Sequence, residues 1–304
     1  MIILTVVLIF ILFYLTSIFG GFRSMFNYFP DQRNVNLNFF EHGLGDGKEF
    51  AFWPMLIGGF FLYLSYYGCD QSQMQKALCA KNQNEGQKVF FLNGIFRFPL
   101  VLLYCLIGVG IGSYSQINAD FILSLPKQDG IPNFNLAVPI FLIDNLPIGI
   151  VGLTLVALFS AAMSSLDSVL NSLSAVTMED FVKRIKTFRY LSEKNNLFIS
   201  RVITLFWGSL AIILAFYVED ISSNVLIAIN KIGSLINGPI IGVFTLGILT
   251  KKINGNSACI GIICGFLFNL YCWVYLVNVS WLWWNAIGFV AVSYTHLRAH
   301  ETSN

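Results

Sequence analysis

Long apolar stretches separated by short polar ones run the length of the chain. Seven of them approach the roughly 20 residues that a helix needs to cross a bilayer core. They lie at about 1–20, 52–71, 89–112, 148–176, 197–217, 224–249 and 256–277, and each predicts a spanning helix. An eighth run starts near Trp281 and stops at Ala291, too short to span. The longest connections are 21–51, 113–147 and 177–196. Within the second, Asn135 to Leu146 is an apolar patch with prolines and predicts a short helix lying over the membrane face. The run from Met1 has no basic leader and exceeds a signal-peptide core, so it predicts a spanning helix rather than a cleaved signal.

One run is not apolar all round. In Gly152 to Val176, Ala157, Ser160, Ala161, Ser164, Ser165, Ser168, Asn171, Ser172 and Ala175 recur at steps of three and four. At 3.6 residues per turn they form one stripe of small and hydroxyl side chains. Two readings fit. Small residues let membrane helices approach closely and hydroxyls bond back to helix carbonyls, which makes a packing face. Alternatively, Ser164 and Ser165 offer adjacent hydroxyl oxygens one turn after the Ala161 carbonyl, and hard cations take oxygen ligands.

Composition supports a membrane protein: 56% of the 304 residues are hydrophobic and 11% charged, against about 25% charged in an average soluble domain. A net charge of +2, with no basic cluster interleaved with aromatics, gives no sign of nucleic-acid binding. The six cysteines, Cys69, Cys79, Cys105, Cys259, Cys264 and Cys272, sit in or beside apolar runs without paired spacing, so neither a disulfide framework nor a zinc site is expected.

Basic residues orient the spans. One set of connections carries Lys76, Lys81, Lys88, Lys183, Arg184, Lys186, Arg189, Lys194, Arg201, Lys251 and Lys252. The other carries only Arg23, Arg33, Lys48 and Lys127. The N-terminus is therefore expected in the cytoplasm, in what is expected to be the plasma membrane, with the second and fourth helices running inward.

Polar groups inside spans cost roughly 2.5–3.5 kcal/mol each when charged, so each needs a reason. Asp167 follows the serine pair and reads either as a hydrogen-bonded buried acid or as part of a cation site. Asp70, beside Gln71, reads as an interfacial residue at the end of the second helix. Arg97 and Lys231 lie about two turns from an interface and fit snorkelling. Tyr63, Tyr66 and Tyr67 cluster at mid-span, as an aromatic belt or as an interior gate. Asn230, Gly233, Ser234, Asn237, Gly238 and Pro239 predict an irregular or bent sixth helix.

The polar end of the chain does not continue this pattern. VSYTHLRAHET (Val292–Thr302) matches one reading frame of a common sequencing-library adapter. Residues 1–291 are thus expected to be the transmembrane part, and 292–304 a non-native tail. His296 and His300 are given no metal or catalytic role despite their spacing.

Three segments carry a family resemblance. YYGCDQSQMQKALCAKN (Tyr66–Asn82), GLTLVALFSAAMSSLDSVLNSLSAVTMEDF (Gly152–Phe181) and NGPIIGVFTLGILTKKING (Asn237–Gly255) resemble, in order, motifs of the sodium/solute symporter family, and SWLWWNAIGF (Ser280–Phe289) the helix that follows. The resemblance implies an all-α membrane protein with a LeuT-like fold of two inverted five-helix repeats, sodium and solute lying near mid-membrane between the repeats. It also implies a partial bundle: the last core helix of repeat one, all of repeat two, one further helix and a stub, with the first four core helices missing.

Carried over motif by motif, the resemblance places sodium on the Ala161 carbonyl and the Ser164 and Ser165 hydroxyls. The cytoplasm-facing gate falls on Tyr66 and Tyr67, and sugar contacts on Tyr63, Arg97 and Asn230. All three sugar positions depart from the sugar-transporting pattern: tyrosine for asparagine, arginine for lysine, asparagine for glutamine. That speaks against a sugar and names no other solute. The implied activity is sodium-coupled symport of a small organic solute or anion, with Na+ as coupling ion, no organic cofactor and no catalytic constellation. The expected partners are sodium, a small solute and the lipid bilayer, in an oligomeric state the residues leave open. A seven-helix receptor and a symporter-like membrane sensor are the alternatives.

Overall fold

The computed structural model describes residues 2–30, 38–128, 130–188, 192–217, 225–249 and 255–301, with backbone alone for Gln128, Thr187 and 295–301. Of the residues that orient the spans, Arg33, Arg189, Lys251 and Lys252 lie outside this set. The described residues fall into two compact units: Met1–Val35 with Cys79–Phe216, and Asn36–Leu78 with Tyr217–Asn304.

In the first unit, α1 (Ile2–Ile18) buries Leu4, Val7, Leu8, Ile11 and Leu15, one face at helical spacing. That face packs against α5 (Gln83–Ile117) and α8 (Ile148–Val176). A Cβ on Gly110 of α5 would lie 2.9 Å from Leu15 Cδ1, so glycine there sets how closely α1 and α5 meet. Asn82 caps α5 by accepting from the Glu85 N–H at 2.9 Å. The short helices α2 (Phe22–Asn27), α6 (Ala119–Ser124) and α7 (Ala137–Asn145) gather at the far end of α5. Ser113 donates to the Met25 carbonyl, and the rings of Tyr114, Phe121 and Phe141 meet edge to face. A two-residue hairpin, β1 (Lys127–Gln128) and β2 (Ile131–Pro132), precedes α7, which forms where the apolar patch predicted it. α9 (Glu193–Ala215) packs against α8, which Ser174 ties to Ser200 at 2.9 Å.

In the second unit, a single helical stretch from Phe52 to Gly68 contains a π-turn at Pro54–Gly58, followed by α3 (Gly59–Gly68). After α4 (Gln71–Leu78), the unit resumes with α10 (Val225–Leu249), α11 (Gly255–Tyr275) and α12 (Trp283–Glu301), which pack on one another; α10 also packs on α3. Between apolar helices in lipid the driving force is close packing, not exclusion of water. A Cβ on Gly238 would sit 2.2 Å from the Asn285 carbonyl oxygen, so α10 and α12 touch backbone to backbone there.

The segment 38–51 is stitched to the α11–α12 connection. Ser280 N–H donates to Gly43 O at 2.8 Å, Trp283 Nε1 to His42 O at 2.7 Å, and the Ser280 hydroxyl to the Glu49 carbonyl. Asp46 organises the loop by accepting from the N–H groups of Lys48, Gly43 and His42. Those bonds, the one from Lys48 foremost, hold its carboxyl below the ordinary range. Gly43 takes a left-handed conformation, φ +64°, to make the turn.

Several expectations change. Among the described residues, five helices are long and apolar enough to span: Gln83–Ile117, Ile148–Arg184, Glu193–Ala215, Val225–Leu249 and Gly255–Tyr275. The first expected span is a 17-residue helix, about 25 Å long. The second ends at Gly68, because Asp70 starts a new helix. The sixth helix is unbroken through Pro239, and the irregular turn lies in the second span instead. α12 continues beyond the end of the eighth apolar run to Glu301, and Val292 is 1% exposed. Packing therefore persists at Val292, an apolar residue on the inner face of α12. The side chains of His296 and His300 lie outside the described residues.

Candidate functional site

The oxygen face of α8 is the first candidate. Helical geometry places the Ser165 hydroxyl over the carbonyl four residues back, and it donates to Ala161 O at 3.1 Å. Ser168 repeats the pattern with Ser164 O at 3.2 Å, and Ser172 with Ser168 O at 2.7 Å. The stripe read from the sequence divides. Ala157 and Ser172 are buried, Ala161 and Ser168 are half-buried, and Ser160, Ser164, Ser165, Asn171 and Ala175 are exposed. A sodium site between the repeats, as the resemblance implies, would turn Ser164 and Ser165 inward; here both are exposed, and within this unit α1, α7 and α9 pack on α8 and bury Thr154, Ala157, Ser172 and Ser174 instead. Asp167, read either as a hydrogen-bonded buried acid or as part of a cation site, is exposed and accepts from Asn171 Nδ2 at 3.1 Å.

α3 in the second unit brings its three tyrosines together. Tyr63 and Tyr67 stack with centroids 6.4 Å apart at 20°, as a four-residue spacing on a helix allows, and Tyr66 meets Tyr67 edge-on at 5.1 Å. Tyr63 is exposed and the other two half-buried. The Tyr66 hydroxyl accepts from Gln73 Nε2 at 2.7 Å, so α4 braces the cluster. Asp70 caps α4: its Oδ1 accepts from Ser72 N–H at 2.7 Å and its carbonyl from Gln73 and Met74 N–H. Gln71, exposed, opens α4.

Arg97 is exposed on α5 in the first unit. Asn230 is half-buried on α10 in the second, its amide donating to Leu226 O at 2.8 Å. Beside it, Lys231 Nζ pairs with Glu49 Oε1 at 3.5 Å. Among the described residues no three His, Cys, Asp or Glu gather as metal ligands. An oxygen set such as that on α8 is neutral, which suits a monovalent cation better than a transition metal. Sequence reasoning passed over Gln73, and also Asn269 and Asn285, both 0% exposed. The available signal for the last two was an amide in an otherwise apolar run.

The sequence matches the model of the Sodium:solute symporter family over residues 1–265. The chain belongs to that family. Among its relatives are mouse sodium-coupled monocarboxylate transporter 1, 30% identical over 235 residues, which cover 77% of this chain and 38% of that protein. The rabbit sodium-dependent multivitamin transporter is 31% identical over 75% of this chain and 36% of its own length. The sodium/sialic acid symporter NanT of Aliivibrio fischeri is 27% identical over 78% and 46%. The chain thus spans about two fifths of the length of the curated relatives it matches. A solved Na+-coupled sialic acid symporter, in a substrate-bound outward-open state, shares the fold with a TM-score of 0.76 at 21% identity, over 99% of this chain and 60% of that one. The family and the apolar helices make this symporter-family chain part of a multi-pass membrane protein, with the LeuT-like helical architecture.

Proposed function

We propose that these residues form part of a transporter that couples entry of a small organic solute or anion to sodium. The observation that carries this reading is the Ser165 hydroxyl lying 3.1 Å from the Ala161 carbonyl on α8, with Ser164 the preceding residue, in a chain that belongs to the sodium:solute symporter family. Sodium binds these oxygens, and solute contacts fall on Tyr63, Arg97 and Asn230, with Tyr66 and Tyr67 as the gate. Each sodium ion moving inward gains about 2.3 kcal/mol per 100 mV of membrane potential. No bond is made or broken, so the protein is a carrier and not an enzyme. It resides in the plasma membrane with residue 1 in the cytoplasm, as the basic connections indicate.

A small monocarboxylate is the first solute to test, because relatives are named for monocarboxylates and Arg97 is a cation within an apolar helix. The exposure of Ser164 and Ser165 supports a further element covering them in the transport-competent protein. The experiment is uptake of labelled propionate into proteoliposomes, by the 304-residue chain and by a product extended to the length of its relatives. Uptake by the longer product that needs an inward sodium gradient is the expected result, with none by the 304 residues alone. Equal uptake with potassium replacing sodium would overturn the coupling.

A further inference from the structure

A proline at position 239 has no N–H to give to the carbonyl four residues back, that of Leu235. Pro239 lies inside α10, which still runs unbroken from Val225 to Leu249. Leu235 and Pro239 are both buried, so solvent does not meet this carbonyl. The missing donor comes from another helix. Asn269 of α11 places Nδ2 3.0 Å from Leu235 O and 3.3 Å from Ser234 O. Two acceptors on one side fix which end of the amide is the nitrogen.

The other end of that amide shows why asparagine is there. Asn269 Oδ1 is buried and accepts no hydrogen bond among the described residues. An orphaned buried oxygen is a cost that leucine, of similar size, avoids. The cost is offset only by the donor end. α12 adds a second amide to the same turn: Asn285 Nδ2 donates to Ser234 Oγ and to Leu282 O, each at 3.0 Å. The turn Ser234–Leu235 is therefore held from two neighbouring helices at the point where its own ladder is interrupted.

We infer that Asn269 is a positioning residue for α10, its amide standing in for the N–H that Pro239 lacks and so fixing the half of the helix that bears Asn230. The consequence for solute rests on the reading of Asn230 as a solute contact; the consequence for the backbone does not.

The test compares Asn269→Leu, Pro239→Ala and the double variant in the full chain, in lipid nanodiscs, by hydrogen–deuterium exchange. Asn269→Leu is expected to speed exchange across Asn230–Gly238 about tenfold, the size of one lost hydrogen bond to a buried acceptor. With alanine at 239 the backbone supplies its own N–H, and Asn269→Leu then changes exchange less than about threefold. Equal acceleration with proline or alanine at 239 would overturn the inference. If Asn269→Leu alone yields no monodisperse protein, the double variant is expected to recover it; failure of the double variant beside a folded Pro239→Ala overturns the inference equally. In the transport-competent protein, Asn269→Leu raises the half-saturating propionate concentration more than it lowers the maximal rate. Rescued exchange with unchanged half-saturation would leave the backbone role standing and remove Asn230 from the solute contacts.

Discussion

The Ser165 hydroxyl lies 3.1 Å from the Ala161 carbonyl oxygen and donates to it. Two oxygens at that separation both reach a single hard cation at bond lengths of roughly 2.3–2.6 Å. The hydroxyl proton must then turn away, so the bond seen here is the one that sodium replaces. In the transport-competent protein, Ser164→Ala and Ser165→Ala are each expected to raise the sodium concentration for half-maximal uptake about tenfold, equivalent to ~1.4 kcal/mol of lost binding. Apparent solute affinity falls with it, because coupling between two sites is reciprocal. Protein abundance changes little, since alanine suits a helix. Ser172→Ala is the control: buried and bonded to Ser168 O, it leaves sodium dependence unchanged. Sodium-titrated uptake at fixed membrane potential checks all three, and an unmoved titration for Ser164→Ala and Ser165→Ala would make the stripe a packing face only.

Gly238→Ala is expected to disrupt the second unit. The added methyl would stand 2.2 Å from the Asn285 backbone oxygen, which cannot move without shifting α12. Overpacking of this kind costs about 1–3 kcal/mol or more. Gly247→Ala on the same helix meets nothing within 4 Å among the described residues and is expected to be neutral. Thermal unfolding in detergent followed by size-exclusion separates the two; equal midpoints would refute the close approach.

The Asp46 loop carries a pH dependence. Its carboxyl is lowered in the folded state by N–H donors, above all that of Lys48. A lowered carboxylate contributes its stabilisation fully above the unfolded aspartate value near about 4, and loses it as pH falls through the lower folded value. Amide exchange of His42, Gly43 and Lys48 is thus expected to stay protected at neutral pH, and that protection to fail only below about pH 4. In Asp46→Asn, which has one acceptor oxygen in place of two, protection is already reduced at neutral pH. A loop equally protected in wild type and variant at pH 7 would show that the carboxylate is not its organiser.

Lys231 and Glu49 form a pair with side chains 22% and 44% exposed. Solvent screens such a pair, and its coupling is expected to be no more than about 1 kcal/mol. A double-mutant cycle with Lys231→Met and Glu49→Gln measures it directly. The Ser280 bond to Glu49 is to the backbone carbonyl, so both variants leave it in place. A coupling of several kcal/mol would mean that the pair is far more desolvated than its exposure indicates.

The apolar runs by themselves determined the long helices α5, α8, α9, α10 and α11, because a stretch too apolar for water must satisfy its backbone internally, and a helix does so from local sequence alone. The motifs likewise sufficed for the family, and periodicity sufficed to put Ala161, Ser164 and Ser165 on one stripe. Which part of that stripe is covered was decided by neighbours: α1, α7 and α9 bury Ala157 and Ser172 and leave Ser164 and Ser165 exposed. Asp70 looked like a residue at a helix end, and only the path of the chain into α4 made it a cap. Gly238 and Pro239 signalled an irregular or bent helix, yet α10 is unbroken through them, and an amide 34 residues away in sequence meets the carbonyl that proline leaves open. Helix formation is a matter of bonds four residues apart and is written locally. Burial, capping by a following segment and the repair of a broken ladder depend on partners distant in sequence, and those are fixed only when the helices pack.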